Sequence, residues 1–307
     1  MLDSRSWRAK MEIIEKHRDT LVSGSEVWLV RPDHIDDVLR ICVTPNRVPQ
    51  AGTLGALVVA TDAELSGGAL ISTIKSCAVG LDLPLVYGVS VGYPLDANPP
   101  FAIKRNRELT TSWPAFEPVT PAFMGLPGMA PTGGAEAFLD FLADELMPAL
   151  ADTFPVDLGE ATLTGQSFGG FFVLYALLHR PEAFRRYLAV SPSLWWDDHA
   201  LLDVAARVVA ESPAPAAQVY LCAGELEHRA RFGLQFGGPM PDAIRGVVQS
   251  ALGRTDMPGD MFMMKQILQG WHNDRFSVEA HVYPEESHES IMGAAFSRGL
   301  RRLHGTL

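Results

Sequence analysis

Apolar positions along this chain follow two rhythms, and the change between them predicts the architecture. Short apolar or alternating runs at 26–30, 38–43 and 55–60 are separated by Pro32, Asp33, Pro45 and Asn46. They read as strands entering a sheet antiparallel to one another. Ahead of them, Trp7, Met11, Ile14 and Leu21 are spaced for one face of a helix over 1–20. A helix over 69–79, ended near Gly80, leads to the apolar run 85–91. Strand and helix then alternate. Helical stretches are expected at 135–150, up to His179, and at 200–210, 241–252, 261–268 and 290–303. Strands are expected at 161–164, 187–190, 218–223 and 277–283. This alternation predicts an α/β fold, a mostly parallel central sheet with helices on both faces and antiparallel N-terminal strands.

One segment breaks the rhythm. Residues 93–134 carry eight prolines, from Pro94 to Pro131, together with Trp113, Phe116 and Phe123. Loops this long inside compact domains are usually functional or disordered, and the aromatics favour a structured loop covering part of a site. No linker or internal repeat divides the chain. The expected organisation is an N-terminal extension at 1–24 and a single domain at 25–307.

The stretch 161–180, ATLTGQSFGGFFVLYALLHR, sets a β-prone run against Gly165-Gln166-Ser167-Phe168-Gly169 and an apolar helix. Strand, tight turn and helix are the context in which G-x-S-x-G exposes a nucleophilic serine. Gly165 and Gly169 let strand and helix approach closely, and the helix N-terminus aims backbone N–H groups at a developing oxyanion. In open α/β sheets the ligand crevice lies at the carboxyl ends of the strands. Ser167, Glu227 and His288 follow three predicted strands, in the chain order of an α/β-hydrolase triad. A serine hydroxyl needs a neighbouring base, which His288 supplies, and a carboxylate fixes the imidazole tautomer. Glu225 competes with Glu227 for the acid role; the spacing after Gly224 favours Glu227. The expected oxyanion donors are the backbone N–H of Phe168 and one from Gly92 or Tyr93, after the run 85–91.

Composition narrows the function further. A formal net charge of −11 disfavours nucleic-acid and anionic-membrane surfaces, which require clustered Lys and Arg. Cys42, Cys77 and Cys222 form no paired motif and read as buried small hydrophobes. No metal-binding or dinucleotide motif is present, so neither metal nor cofactor is expected. The N-terminus has no apolar core of a signal peptide and no run is long enough to span a bilayer; the expected location is the cytoplasm. Oligomeric state is left open.

The blocks VSVGYP (89–94), KRNRELT (104–110), FLADELMPAL (141–150), GQSFGGFFVLYALLHRPEAF (165–184), SPSLWWDD (191–198), AGELE (223–227) and SHESIMGAAFSRGLRRL (287–303) together resemble the putative esterase family of α/β-hydrolases. That family includes enterobactin and salmochelin siderophore esterases and, more distantly, esterase D and feruloyl esterases. The resemblance implies a cofactor-free serine hydrolase acting on a small-molecule carboxylic ester. It places the nucleophile on Ser167, the base on His288 and the acid on Glu227. Arg105 and Arg107 either bind an anionic or catecholate ligand, as the family context suggests, or pin the long loop through carboxylates. Trp195 and Trp196 either form an aromatic wall for substrate or pack in the core. Acyl transfer with the same machinery, or a non-catalytic binding protein on the same fold, are the alternatives.

Overall fold

A computed structural model describes residues 11–19, 22–111, 131–228 and 255–305. The expected helix at 241–252, and Trp113, Phe116 and Phe123 of the proline-rich segment, lie outside these residues. Among the described residues nine strands form one sheet, in the order β1-β2-β3-β5-β4-β6-β7-β8-β9. They are β1 (Glu12–Arg18), β2 (Glu26–Arg31), β3 (Leu39–Pro45), β4 (Gly55–Ala60), β5 (Val86–Gly92), β6 (Val156–Gln166), β7 (Arg186–Val190), β8 (Gln218–Gly224) and β9 (Ser277–Tyr283). The pairs β1–β2, β2–β3 and β3–β5 are antiparallel, and every other pair is parallel. The central strands are apolar along their length and buried, β4 and β5 at every position, as strands covered on both faces must be.

One face is covered by α1 (Ala63–Val79) and the C-terminal helix α8 (Ile291–His304), packed around Leu70, Ile74, Phe296 and Leu300. The other face carries α2 (Phe101–Leu109), α3 (Ala135–Asp140), α4 (Met147–Thr153), α5 (Phe168–His179), α6 (Ala200–Glu211) and α7 (Met257–Leu268). Between α3 and α4 the helix continues through a π-helical stretch, Phe141–Leu146. Glu145 in that stretch accepts from the backbone N–H groups of Asp33 (2.8 Å) and His34 (3.3 Å) and meets the His34 ring, clipping the β2–β3 loop to the helix layer. The architecture is the α/β-hydrolase fold.

Two expectations change. Residues 12–18 are a strand, not part of a helix over 1–20. All seven side chains of β1 are exposed, so no buried face enforces helical spacing; pairing with the open edge of β2 decides the conformation instead. Lys16 adds a contact over the Trp28 ring at 4.6 Å and an ion pair to Glu26 at 2.9 Å. Within 93–134, residues Phe101–Leu109 form helix α2 rather than loop. Its basic residues are held by carboxylates remote in sequence, Lys104 and Arg107 by Asp37 and Arg105 by Asp62, and Arg107 also pairs with its neighbour Glu108.

Candidate active site

Ser167 occupies the turn from β6 into α5 with φ 61° and ψ −119°, a backbone state that L-residues adopt only when their surroundings impose it. Its N–H donates to the Val190 carbonyl (3.0 Å), and its carbonyl accepts from Ser193 N–H (3.0 Å) and Phe171 N–H (2.9 Å). A Cβ on Gly165 would lie 2.5 Å from Thr61 Oγ1 and 2.6 Å from the Gly169 carbonyl carbon. On Gly170 it would lie 2.7 Å from the Val190 oxygen. Glycine is therefore required where β6, α5 and the neighbouring strand ends converge. The Ser167 hydroxyl lies 3.1 Å from that of Ser193.

Glu227 sits on the short 3₁₀ turn after β8 and is fully buried. Its Oε1 accepts from Ser191 Oγ (2.6 Å) and Gly224 N–H (2.7 Å); its Oε2 lies 2.7 Å from His288 Nδ1. Glu225, the other carboxylate on this turn, accepts instead from the Glu285 backbone N–H at 2.9 Å. The Gln166 side chain donates to the His288 carbonyl and so ties the loop after β9 to the serine turn. Burial first, and then the Glu227 charge, holds the neighbouring Cys222 thiol far above its ordinary range, which leaves it an inert part of the core.

Ser167 and His288 line one cavity of about 540 Å³. Its polar side is completed by Asp62, Arg105 and Gln166, and its apolar side by Leu65 and Ala69 of α1 and Met292 of α8. Gly293 also lines it, and a Cβ there would meet nothing within 4 Å.

Gly92 and Tyr93 do not line this cavity. Gly92 ends β5 and Tyr93 follows it, and β4 stands between β5 and the serine strand β6. The Tyr93 N–H is taken by Glu64 at 2.8 Å, and its carbonyl by Arg40 at 3.0 Å. The strand end beside Ser167 belongs to β4, and the residue it brings to the cavity is Asp62, in left-handed conformation at φ 58°, ψ 56°. Sequence reasoning missed Asp62 because the helix after β4 was expected to begin at residue 69, whereas it begins at Ala63. It also missed Ser191, Ser193 and the contact of Gln166, although the SPS run of 191–193 was the available signal.

The arginines and tryptophans separate. Arg105 reaches the cavity, but its Nε and Nη2 donate to the two oxygens of Asp62 at 2.6 and 2.8 Å. Arg107 points to Asp37 and Glu108, away from the cavity. Trp196 is buried and packs edge-on against the Phe168 ring at 5.0 Å; Trp195 lies 6.0 Å from the same ring. Neither tryptophan lines the cavity among the described residues, so both back the Phe168 ring rather than wall the pocket. Among the described residues no cluster of His, Cys, Asp and Glu has the arrangement of a metal site, and no helix is long and apolar enough to cross a membrane.

Comparison with known proteins matches residues 129–235 to the family described as Putative esterase. The siderophore triacetylfusarinine C esterase of Aspergillus fumigatus is 31% identical over 218 residues, covering 69% of this chain and 68% of that protein. The siderophore enterobactin esterase of Emericella nidulans is 28% identical over 222 residues, covering 69% of each. Among solved structures, the siderophore hydrolase EstA from Aspergillus nidulans aligns with a TM-score of 0.76 at 23% identity, covering 94% of this chain and 96% of that one. That last likeness is one of fold.

Proposed function

The chain belongs to the putative esterase family and is a carboxylic ester hydrolase, and we propose that it cleaves a siderophore-type ester through an acyl-enzyme on Ser167. The observation that carries this reading is the hydrogen-bonded run from Ser191 and Gly224 through Glu227 to His288 Nδ1, beside the cavity that His288 shares with Ser167. With Glu227 on Nδ1, the serine proton is assigned to Nε2. The Ser167 oxygen attacks the ester carbonyl as its proton passes to His288. The oxyanion is met by the Phe168 N–H at the start of α5 and by the Asp62 N–H from the β4–α1 loop. The tetrahedral adduct collapses, His288 returns the proton to the leaving alcohol, and water repeats the sequence on the acyl-enzyme. Glu227 orients the ring throughout.

The siderophore part of the reading rests on the named activities of the fungal relatives. A cavity with an apolar side from α1 and α8 suits an acyl or linker chain beside the ester. The test is turnover of a short activated ester and of a ferric siderophore ester by the protein and by its Ser167→Ala variant. The variant should lose turnover by on the order of 10⁶ and should no longer be labelled by a fluorophosphonate. Unchanged turnover in Ser167→Ala refutes the serine assignment. An active serine enzyme that leaves every siderophore ester intact refutes the substrate.

A further inference from the structure

Arg105, the one arginine lining the cavity among the described residues, reads at first as an anchor for an anionic substrate. Its surroundings say otherwise. Arg105 and Asp62 are joined by two nearly parallel hydrogen bonds, 2.6 and 2.8 Å, with side chains only 10% and 4% exposed. A fork-to-carboxylate pair of this kind has fixed direction as well as strength. Asp62 stands at the N-terminus of α1, where an aspartate ordinarily accepts a helix N–H, yet its side chain makes no capping bond. Its carboxylate is turned to Arg105 instead. Its backbone is left-handed, a strained state in a non-glycine residue that persists only when neighbours hold it. The adjoining Thr61 abuts the serine turn closely enough that no Cβ fits on Gly165. A shift of the 61–62 loop therefore reaches the elbow directly. Arg105 also lies over the Phe168 ring, 5.5 Å from its centre. One guanidinium thus touches both residues whose backbone N–H groups are assigned to the oxyanion.

We infer that Arg105 is a positioning residue for the oxyanion side of the site. Its grip on the Asp62 carboxylate fixes the left-handed loop, and its charge is spent there rather than on substrate. The inference rests on the Ser167 reading above. It implies that removing the fork weakens transition-state stabilisation for every ester, charged or neutral.

The experiment compares the protein with Arg105→Lys, which keeps the charge and loses the fork. Two esters share an acyl group, one with a neutral and one with a carboxylate-bearing alcohol. A small neutral fluorophosphonate reports the intrinsic reactivity of Ser167. A full oxyanion donor is worth about 10²–10³ in kcat, so a displaced one should cost roughly 10- to 100-fold. The expected result is that loss in kcat for both esters, an equal slowing of phosphonylation, and KM within about twofold of the parent. The double variant Arg105→Met with Asp62→Asn removes the pair without stranding a buried charge and should give the same pattern. A rise in KM confined to the carboxylate ester, with phosphonylation unchanged, overturns the inference and makes Arg105 an anion anchor. Parent-like values throughout overturn it as well. Ser167→Ala is run alongside: if it still turns over, the nucleophile assignment has failed, whatever the arginine variants do.

Discussion

Replacing Glu227 by Gln tests the base side of the site most cleanly, because the geometry dictates how the amide must sit. Oε1 of the native carboxylate accepts two hydrogen bonds, from Ser191 Oγ and Gly224 N–H. An amide NH₂ turned toward the Gly224 N–H would oppose donor to donor in a fully buried position. The amide oxygen therefore takes the Oε1 place and the NH₂ faces His288 Nδ1. The imidazole must then accept at Nδ1 and carry its proton on Nε2, so it cannot take the proton of Ser167. In the best-studied serine triad the same wrong tautomer costs about 10⁴ in kcat, which is about 5.5 kcal/mol of barrier. Two native hydrogen bonds are retained, so Glu227→Gln should remain folded. Glu227→Ala would strand both donors at about 1–3 kcal/mol each and confound activity with stability. The assay is kcat with a short activated ester across the neutral pH range, with thermal unfolding as the check on folding. A folded Glu227→Gln protein within about tenfold of the parent kcat would refute the tautomer argument and with it the acid role of Glu227.

Two further predictions concern the frame. Gly170→Ala would put a Cβ 2.7 Å from the Val190 oxygen and 3.0 Å from Pro192 Cα, both backbone and unable to yield, and should destabilise by about 1–3 kcal/mol in urea unfolding. His304, whose Nε2 lies 2.6 Å from Thr162 Oγ1, is pushed down to about 3, by burial first and then by Arg186. Between its ordinary value near 6.5 and about 3 the unfolded chain binds the proton and the folded one does not, so stability falls as pH falls through that window. The slope from this group is at most about 1.4 kcal/mol per pH unit. His304→Gln should flatten it, and unfolding midpoints at pH 4 and 7 that shift equally in both proteins would contradict this.

The sheet was legible because buried parallel strands and amphipathic helices leave different periods in the sequence. The serine turn was legible because steric crowding there tolerates only glycine at 165, 169 and 170, and that leaves a pattern. Spatial neighbours were not legible. The chain lays down β4 before β5 but places β4 beside the serine strand, so reading strand ends in order put the second oxyanion donor at Gly92 or Tyr93. The one-strand exchange brings Asp62 to the cavity in place of Gly92 or Tyr93, and a crossover of this sort has no local signature. The N-terminal strand was missed for a related reason. Its residues are all exposed, so nothing in their own spacing records the partner that orders them. Arg105 and Asp62 are 43 positions apart, and from sequence each reads as an unpaired charge. The ambiguity between anion anchor and structural pin followed directly from that.

The three working parts of the site are held by separate contacts. Ser167 is fixed through its own backbone, by Val190 and Ser193, and its hydroxyl lies 3.1 Å from that of Ser193. His288 is fixed by Glu227, whose carboxylate gathers the ends of β7 and β8 by accepting from Ser191 and Gly224, and by Gln166 at its carbonyl. The Leu226 N–H, bonded to the Glu286 carbonyl at 3.0 Å, ties that turn to the histidine loop a second time. On the proposed oxyanion side, Arg105 holds Asp62 and lies over the Phe168 ring. Because these supports share no side chain, damage to each should have its own kinetic form. Loss of the Glu227 carboxylate removes the base, and acyl transfer to and from Ser167 fails with it. Loss of the Arg105 fork leaves the base intact and lowers the rate through the oxyanion side. A site held by one common network would mix the two signatures; this one should keep them apart.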